Sequence, residues 1–323
     1  MPLKIVLMGT GEFALPAFRA VLESRHTVPL VVTQPDKTGR GHHQHVNVVR
    51  ELAEEFSVPV LQPQRVNQPE VLEQLQQTQA DLFLVASYGQ ILRPALLAIP
   101  RLGAFNLHGS LLPKYRGAAP VQYSIWKGDD VTGVTIFQIE PALDSGPMVG
   151  HVETPIGPRE TSGELMLRLA TLCVPLTLQV LEQLETNTAV FERQDDSRVV
   201  LSPKIQRSDG FIDWKQSSKA IDCQIRAMQP WPKASALLQR EGQPPVRCLF
   251  QQVRILPPDE HPHHSAHPGH IAVTDRRLLV RSGDGWLEIL SLQPEGRRAM
   301  DGTAFTNGYS PGKNSYFTPD PPT

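Results

Sequence analysis

The chain has 323 residues, 40% of them hydrophobic and 20% charged, with a formal net charge of −2. That length suits two ordinary domains, and the near-neutral balance excludes a global field that recruits nucleic acid, so a polyanion would have to meet a local basic patch. Three scattered cysteines (Cys173, Cys223, Cys248) exclude a disulfide framework, and with no leader and no apolar run of membrane length the chain is expected in the cytoplasm, off the membrane.

Residues 5–8 form an apolar run that breaks at Gly9-Thr10-Gly11, and a helical pattern follows through Phe13, Phe18, Val21 and Leu22. Further strands are expected at 28–32, 58–61, 82–86 and 103–108, with helices ending near Phe56 and covering 118–126. The continuous apolar run at 82–86 marks a strand covered on both faces. Strands at 134–139 and 148–152 are expected to pair antiparallel at an edge. Alternating strands and helices predict an α/β domain with a Rossmann-like, mostly parallel sheet over residues 1–187. A long helix at 161–184 opens on a Thr161/Glu164 capping box, buries one Leu-rich stripe and contains Pro175, which predicts a kink.

The polar run that follows reads as a linker, placed at 188–207. From 208 to 312, one helix at 217–228 and five short strands predict a small OB-like β-barrel. Residues 313–323 belong to a Pro-rich tail expected to fray.

Four motifs carry candidate chemistry. Gly9-Thr10-Gly11-Glu12-Phe13-Ala14 fits G-x-G-x-x-A after a strand, the form of a dinucleotide turn. No acid ends the second strand, where Val31-Val32-Thr33-Gln34 stands, so the other reading is a tight turn that needs glycine for packing. The loop with Lys37, Gly39, Arg40, Gly41, His42, His43 and His45 is either an arm that grips phosphates or a solvated loop. His261, His263, His264, His267 and His270 alternate with prolines and read as a surface loop, and no metal is expected at either histidine cluster.

The fourth motif is the strand end at Asn106 and His108. Two apart on a strand, they face the same side. Ligands in open α/β sheets bind beyond the carboxyl ends of strands, and the strand breaks here at Gly109 into a loop at 110–117. Asp144, between two later strands, is the best candidate for an acid partner. An amide that donates to an oxyanion, an imidazole that moves protons or stabilises charge, and an acid that orients it or relays a proton make an acyl-transfer set. No Ser or Cys elbow accompanies them, so the nucleophile belongs to the substrate.

Asn106-x-His108-Gly109-Ser110-Leu111-Leu112-Pro113, then Arg116-Gly117-Ala118-Ala119-Pro120 and Leu143-Asp144-Ser145-Gly146, resembles the formyltransferases that use 10-formyltetrahydrofolate. The second domain and the Arg40 loop narrow the resemblance to the branch that acts on methionyl-tRNA. It implies formyl transfer from 10-formyltetrahydrofolate, as co-substrate, to the α-amine of methionyl-initiator tRNA for translation initiation, by a monomer. Under it Asn106, His108 and Asp144 are catalytic. Ser110, Leu111, Leu112 and Pro113 bind folate, with Tyr88 and Gly89 near the pterin. Arg40 and Lys37 grip tRNA, and the barrel holds the acceptor arm. Gly11 stands where the family usually has Pro, and His42 and His43 where relatives tend to carry Lys. Three alternatives remain: formyl transfer to a small amine such as a nucleotide-sugar or purine precursor, a nicotinamide-dependent enzyme using the Gly9/Gly11 turn, and an OB-fold RNA binder without catalysis.

Overall fold

The computed structural model describes residues 1–36, 47–262, 266–312 and 314–319. Lys37, Arg40 and the histidines at 42, 43, 45, 263 and 264 lie outside them. The chain folds as two compact units: Met1–Pro120, Val131–Pro155 and Leu165–Ser202 in one, and Val121–Asp130, Ile156–Glu164 and Pro203–Thr323 in the other.

Up to residue 108 the order is β1 (Lys4–Gly9), α1 (Leu15–Leu22), β2 (Thr27–Val32), α2 (Val48–Glu55), β3 (Val60–Leu61), α3 (Pro69–Gln77), β4 (Leu82–Ala86), α4 (Pro94–Leu97) and β5 (Ala104–His108). Then come β6 (Lys114–Gly117), α5 (Pro120–Trp126), β7 (Val131–Gln138), β8 (Met148–Pro155), α6 (Ser162–Glu185) and β9 (Val200–Ser202). The main sheet runs β3-β2-β1-β4-β5-β7-β8. Its first five strands are parallel, and β7 and β8 add antiparallel edge strands. This is the Rossmann-like sheet that the sequence predicts. Every residue of β4 is buried, as a strand sandwiched between helices requires.

Glycine makes the first turn possible. A Cβ at Gly9 would stand 2.7 Å from both the Ala86 carbonyl oxygen and the Phe18 ring. The packing reading thus has a direct cause at Gly9, whereas a Cβ at Gly11 would meet nothing nearer than Ser87 at 3.8 Å. At the end of β2, buried Thr33 bonds Asn47, and Gln34 donates to the Tyr88 carbonyl at 2.9 Å.

Two expectations need correction in this unit. Residues 110–117 are not all loop, because β6 pairs in parallel with β9, a strand drawn from the polar run read as a linker. The run through residue 202 is thereby built into the first unit. The second correction concerns α6, which is long and apolar enough, by length and composition, to cross a membrane. Leu165, Leu169, Cys173, Val180 and Leu184 nonetheless bury its stripe inside the protein, the pattern of a core helix. The helix continues through Pro175, and Thr161 and Glu164 exchange capping bonds as expected.

In the second unit, α7 (Ser218–Ala227) precedes β10 (Ala234–Arg240), β11 (Gln243–Ile255), β12 (Ile271–Thr274), β13 (Arg277–Arg281), β14 (Trp286–Pro294), β15 (Met300–Asp301), α8 (Gly302–Tyr309) and β16 (Tyr316–Pro319). The antiparallel sheet runs β12-β13-β14-β11-β10-β16, with β15 beside β14. Within the segment expected to fray, Tyr316–Pro319 instead forms a strand. β16 pairs with β10 on one side, while Phe317 N–H donates to the Gly269 carbonyl at 2.8 Å and Ile271 N–H to Ser315 at 3.1 Å on the other. The last strand thereby closes the sheet into the OB-like barrel. Phe317 is buried and stacks on Trp214 with ring centroids 5.8 Å apart, in a core shared with Phe250 and Phe305.

Candidate active site

β5 delivers Asn106 half-exposed and His108 buried at the carboxyl end of the parallel sheet. The connection from β7 to β8 brings Asp144 back over this end. His108 Nδ1 lies 3.8 Å from Asp144 Oδ2. Asp144 has φ +46, a left-handed conformation that Asp tolerates better than most residues. The turn continues into Gly146, where a Cβ would collide with the Gln138 carbonyl.

β6 holds both members of the pair with its backbone. The Tyr115 carbonyl oxygen lies 2.9 Å from His108 Nε2, and the Gly117 N–H donates to Asp144 Oδ2 at 2.7 Å. The register of β6 against β9 shifts between Lys114 and Arg116, and this irregular stretch grips imidazole and carboxylate together. Tyr115 itself has φ +65 and Gly117 φ +130, which aim these groups. Ser202 Oγ on β9 also donates to the Tyr115 carbonyl, at 2.8 Å.

A carbonyl only accepts, so the proton of neutral His108 sits on Nε2 and Nδ1 presents a lone pair. Burial pushes the imidazole pKa below its ordinary value, against the opposing pull of the Asp144 charge and the Tyr115 bond. The lowered pKa favours the neutral ring, and a protonated ring would face the Asp144 carboxylate.

The turn after β5 is pinned to β7. Thr135 Oγ1 donates to the Ser110 carbonyl at 2.7 Å and accepts the Leu112 N–H at 3.1 Å, while Ser110 Oγ donates to the Lys114 carbonyl at 2.7 Å. Tyr88 and Gly89 follow β4, the parallel neighbour of β5, so they share the same end of the sheet. The Tyr88 hydroxyl is buried without a hydrogen-bond partner among the described residues, and burial raises its pKa. Asn106, His108, Asp144, Ser110, Leu111, Leu112, Pro113, Tyr88 and Gly89 thus all belong to one unit and stand at or beside the carboxyl ends of its strands. Lys37 and Arg40 lie outside the described residues. Also among the described residues, no group of three His, Cys, Asp or Glu is placed to hold a metal ion.

Sequence reasoning missed the supports: Tyr115 and Gly117 by their backbone, Thr135, Ser202, and a side-chain bridge through Arg116 and Gln194. The Arg116-Gly117 pair was visible as part of the motif, but nothing in the polar stretch around Gln194 marked that residue.

Two family matches cover both parts of the chain: formyl transferase over residues 3–181, and the formyl transferase C-terminal domain over residues 204–310. The methionyl-tRNA formyltransferase of Solibacter usitatus is 41% identical over 95% of this chain and 96% of its own length. That of Methylococcus capsulatus is 40% identical over 95% and 97%. Among solved structures, the sugar 3N-formyl transferase WlaRD, in the presence of dTDP and 5-N-formyl-THF, covers 92% of this chain and 100% of its own with TM-score 0.64 and 16% identity, a likeness of fold. With a family match over more than half its length and relatives near 40% identity across nearly all of it, the chain belongs to the formyl transferase family.

Proposed function

We propose that the chain transfers the formyl group of 10-formyltetrahydrofolate to the α-amine of methionyl-initiator tRNA, giving formylmethionyl-tRNA for translation initiation. The relatives at 41% and 40% identity are named methionyl-tRNA formyltransferases and align over both units. The observation that carries the chemistry is the buried His108 held between the Tyr115 carbonyl and Asp144. Its ring faces a carbonyl and a carboxylate, not a hydroxyl or thiol, which suits direct attack by the substrate amine.

In this reading the amine nitrogen bonds to the formyl carbon and the formyl oxygen takes up negative charge. The Asn106 amide donates to that oxygen. His108 Nδ1 accepts the proton that the amine loses, and Asp144 stabilises the resulting imidazolium. The proton passes to folate N10 as the carbon–N10 bond breaks, which leaves tetrahydrofolate and the formylated amine. This gives His108 the proton and Asn106 the oxyanion, a sharper division than the two strand-end groups suggested by themselves. Ser110, Leu111, Leu112 and Pro113 hold the folate, with Tyr88 and Gly89 beside the pterin. The barrel takes the acceptor arm, and Arg40 with Lys37 grips phosphates. The protein works in the cytoplasm, as a monomer and off the membrane.

The test is transfer of labelled formyl from 10-formyltetrahydrofolate, with charged initiator tRNA, uncharged tRNA and a nucleotide-linked amino sugar as acceptors. Transfer to the charged tRNA alone is expected. Transfer to the amino sugar alone would replace this reading with the small-amine one. Arg40→Ala should weaken tRNA binding uniformly, and unchanged KM for tRNA would remove the loop from the account.

A further inference from the structure

We propose that Gln194, braced by Arg116, is a positioning residue that sets Asp144 against His108. This rests on the reading of His108 and Asp144 given above.

The Gln194 carboxamide sits between groups of opposite hydrogen-bonding character. Its Nε2 donates to the Asp144 carbonyl at 2.8 Å and to the Gly146 carbonyl at 2.8 Å. Its Oε1 accepts from Arg116 Nε at 2.9 Å. Carbonyls only accept and a guanidinium only donates, so the two ends of the amide cannot be exchanged. A carboxylate would keep the arginine contact and lose both carbonyl contacts. An apolar side chain would lose all three.

Arg116 is buried, with its Nη2 held by Asp196 at 2.8 Å. It is also the residue between Tyr115 and Gly117, the two that grip His108 and Asp144 by their backbone. A closed ring of contacts results. Arg116 holds Gln194, Gln194 holds the backbone of the Asp144 turn, and Asp144 Oδ2 accepts the N–H of Gly117, the next residue after Arg116. The ring matters because Asp144 occupies left-handed backbone, which persists only where surrounding bonds over-determine it. Two bonds from one side chain to the carbonyls on either side of Ser145 supply that determination.

The experiment uses the full chain and steady-state formyl transfer. Gln194→Glu and Gln194→Leu should lower kcat roughly 10- to 100-fold, as expected when a support for a reacting group is lost. KM for both substrates should stay nearly unchanged, because the polar atoms of the Gln194 carboxamide are taken up by Arg116, Asp144 and Gly146. Arg116→Lys, which cannot present two donors in the same fork, should reproduce part of the loss. The decisive arm is the double variant with Asp144→Asn. Once the carboxylate is gone there is nothing left to position, so Gln194→Leu should cause little further loss of kcat. A full additional loss in that background, or near-normal kcat in the single Gln194 variants that remain folded by circular dichroism, overturns the inference. Normal kcat in Asp144→Asn alone overturns both this inference and the catalytic reading. A low Asp144→Asn with unaffected Gln194 variants overturns the positioning role alone.

Discussion

The Tyr115 carbonyl accepts from His108 Nε2 at 2.9 Å, and this contact decides which ring nitrogen keeps a lone pair. It places the lone pair on Nδ1, on the side of Asp144. Burial holds the pKa of the ring below the ordinary 6.5, so neutral His108 persists to below that pH. The acid limb of kcat should therefore fall below pH 6.5. Asp144 is the charge that opposes this depression, so the residual activity of Asp144→Asn should show an acid limb at still lower pH. A limb above 6.5 in the wild type would contradict the neutral-base role.

The same depression has a consequence for stability. The unfolded chain binds a proton at the ordinary histidine pKa, while the folded ring resists it until lower pH. The contribution of His108 is fully present above about pH 6.5 and is lost as pH falls through the folded pKa. His108→Gln should flatten the decline in unfolding free energy between that pH and the folded pKa. An unchanged slope in urea titrations across this range would show that other groups cause it.

Gly117 should tolerate no side chain. Its φ is +130, and a Cβ would stand 2.5 Å from the Ser202 carbonyl oxygen. Gly117→Ala is expected to cost about 1–3 kcal/mol of stability from backbone strain. It should also lower kcat, because the displaced N–H no longer meets Asp144. Ser202→Ala makes a milder comparison. It removes one donor to the Tyr115 carbonyl, which keeps His108, and should cost about 1 kcal/mol with a small effect on kcat. Equal kcat losses in the two variants would argue against the backbone grip of β6.

Phe317→Ala tests the barrel closure. The ring is buried against Trp214, Phe250 and Phe305, so about 3–5 kcal/mol of destabilisation is expected in chemical unfolding. A loss under about 1 kcal/mol would mean that the last strand is not part of the core.

Much of the first sheet was legible because its strands are apolar runs with period-two or fully buried patterns, as at residues 82–86. Asn106 and His108 stood out because polar groups at the end of such a run are poor core. β6 was not legible: Lys-Tyr-Arg-Gly has no apolar alternation, and it pairs with three residues more than 80 positions later. Nor was β16, whose four residues end on a proline within a Pro-rich stretch. The one local signal was the aromatic pair Tyr316-Phe317. Gln194 and Ser202 were hidden for a different reason. Their roles come from hydrogen bonds to backbone carbonyls, and a sequence does not show where its carbonyls point.

Under the proposed function, formyl transfer to the amine of methionyl-tRNA depends on Asn106, His108 and Asp144. The most direct test is the rate of labelled formyl transfer from 10-formyltetrahydrofolate to methionyl-initiator tRNA, at saturating substrates, for wild type, His108→Ala and Asp144→Asn. Each substitution should lower kcat about 100-fold or more, the usual worth of a proton-transfer or charge-stabilising group. Near-wild-type transfer by either variant, folded and saturable by both substrates, would contradict the account.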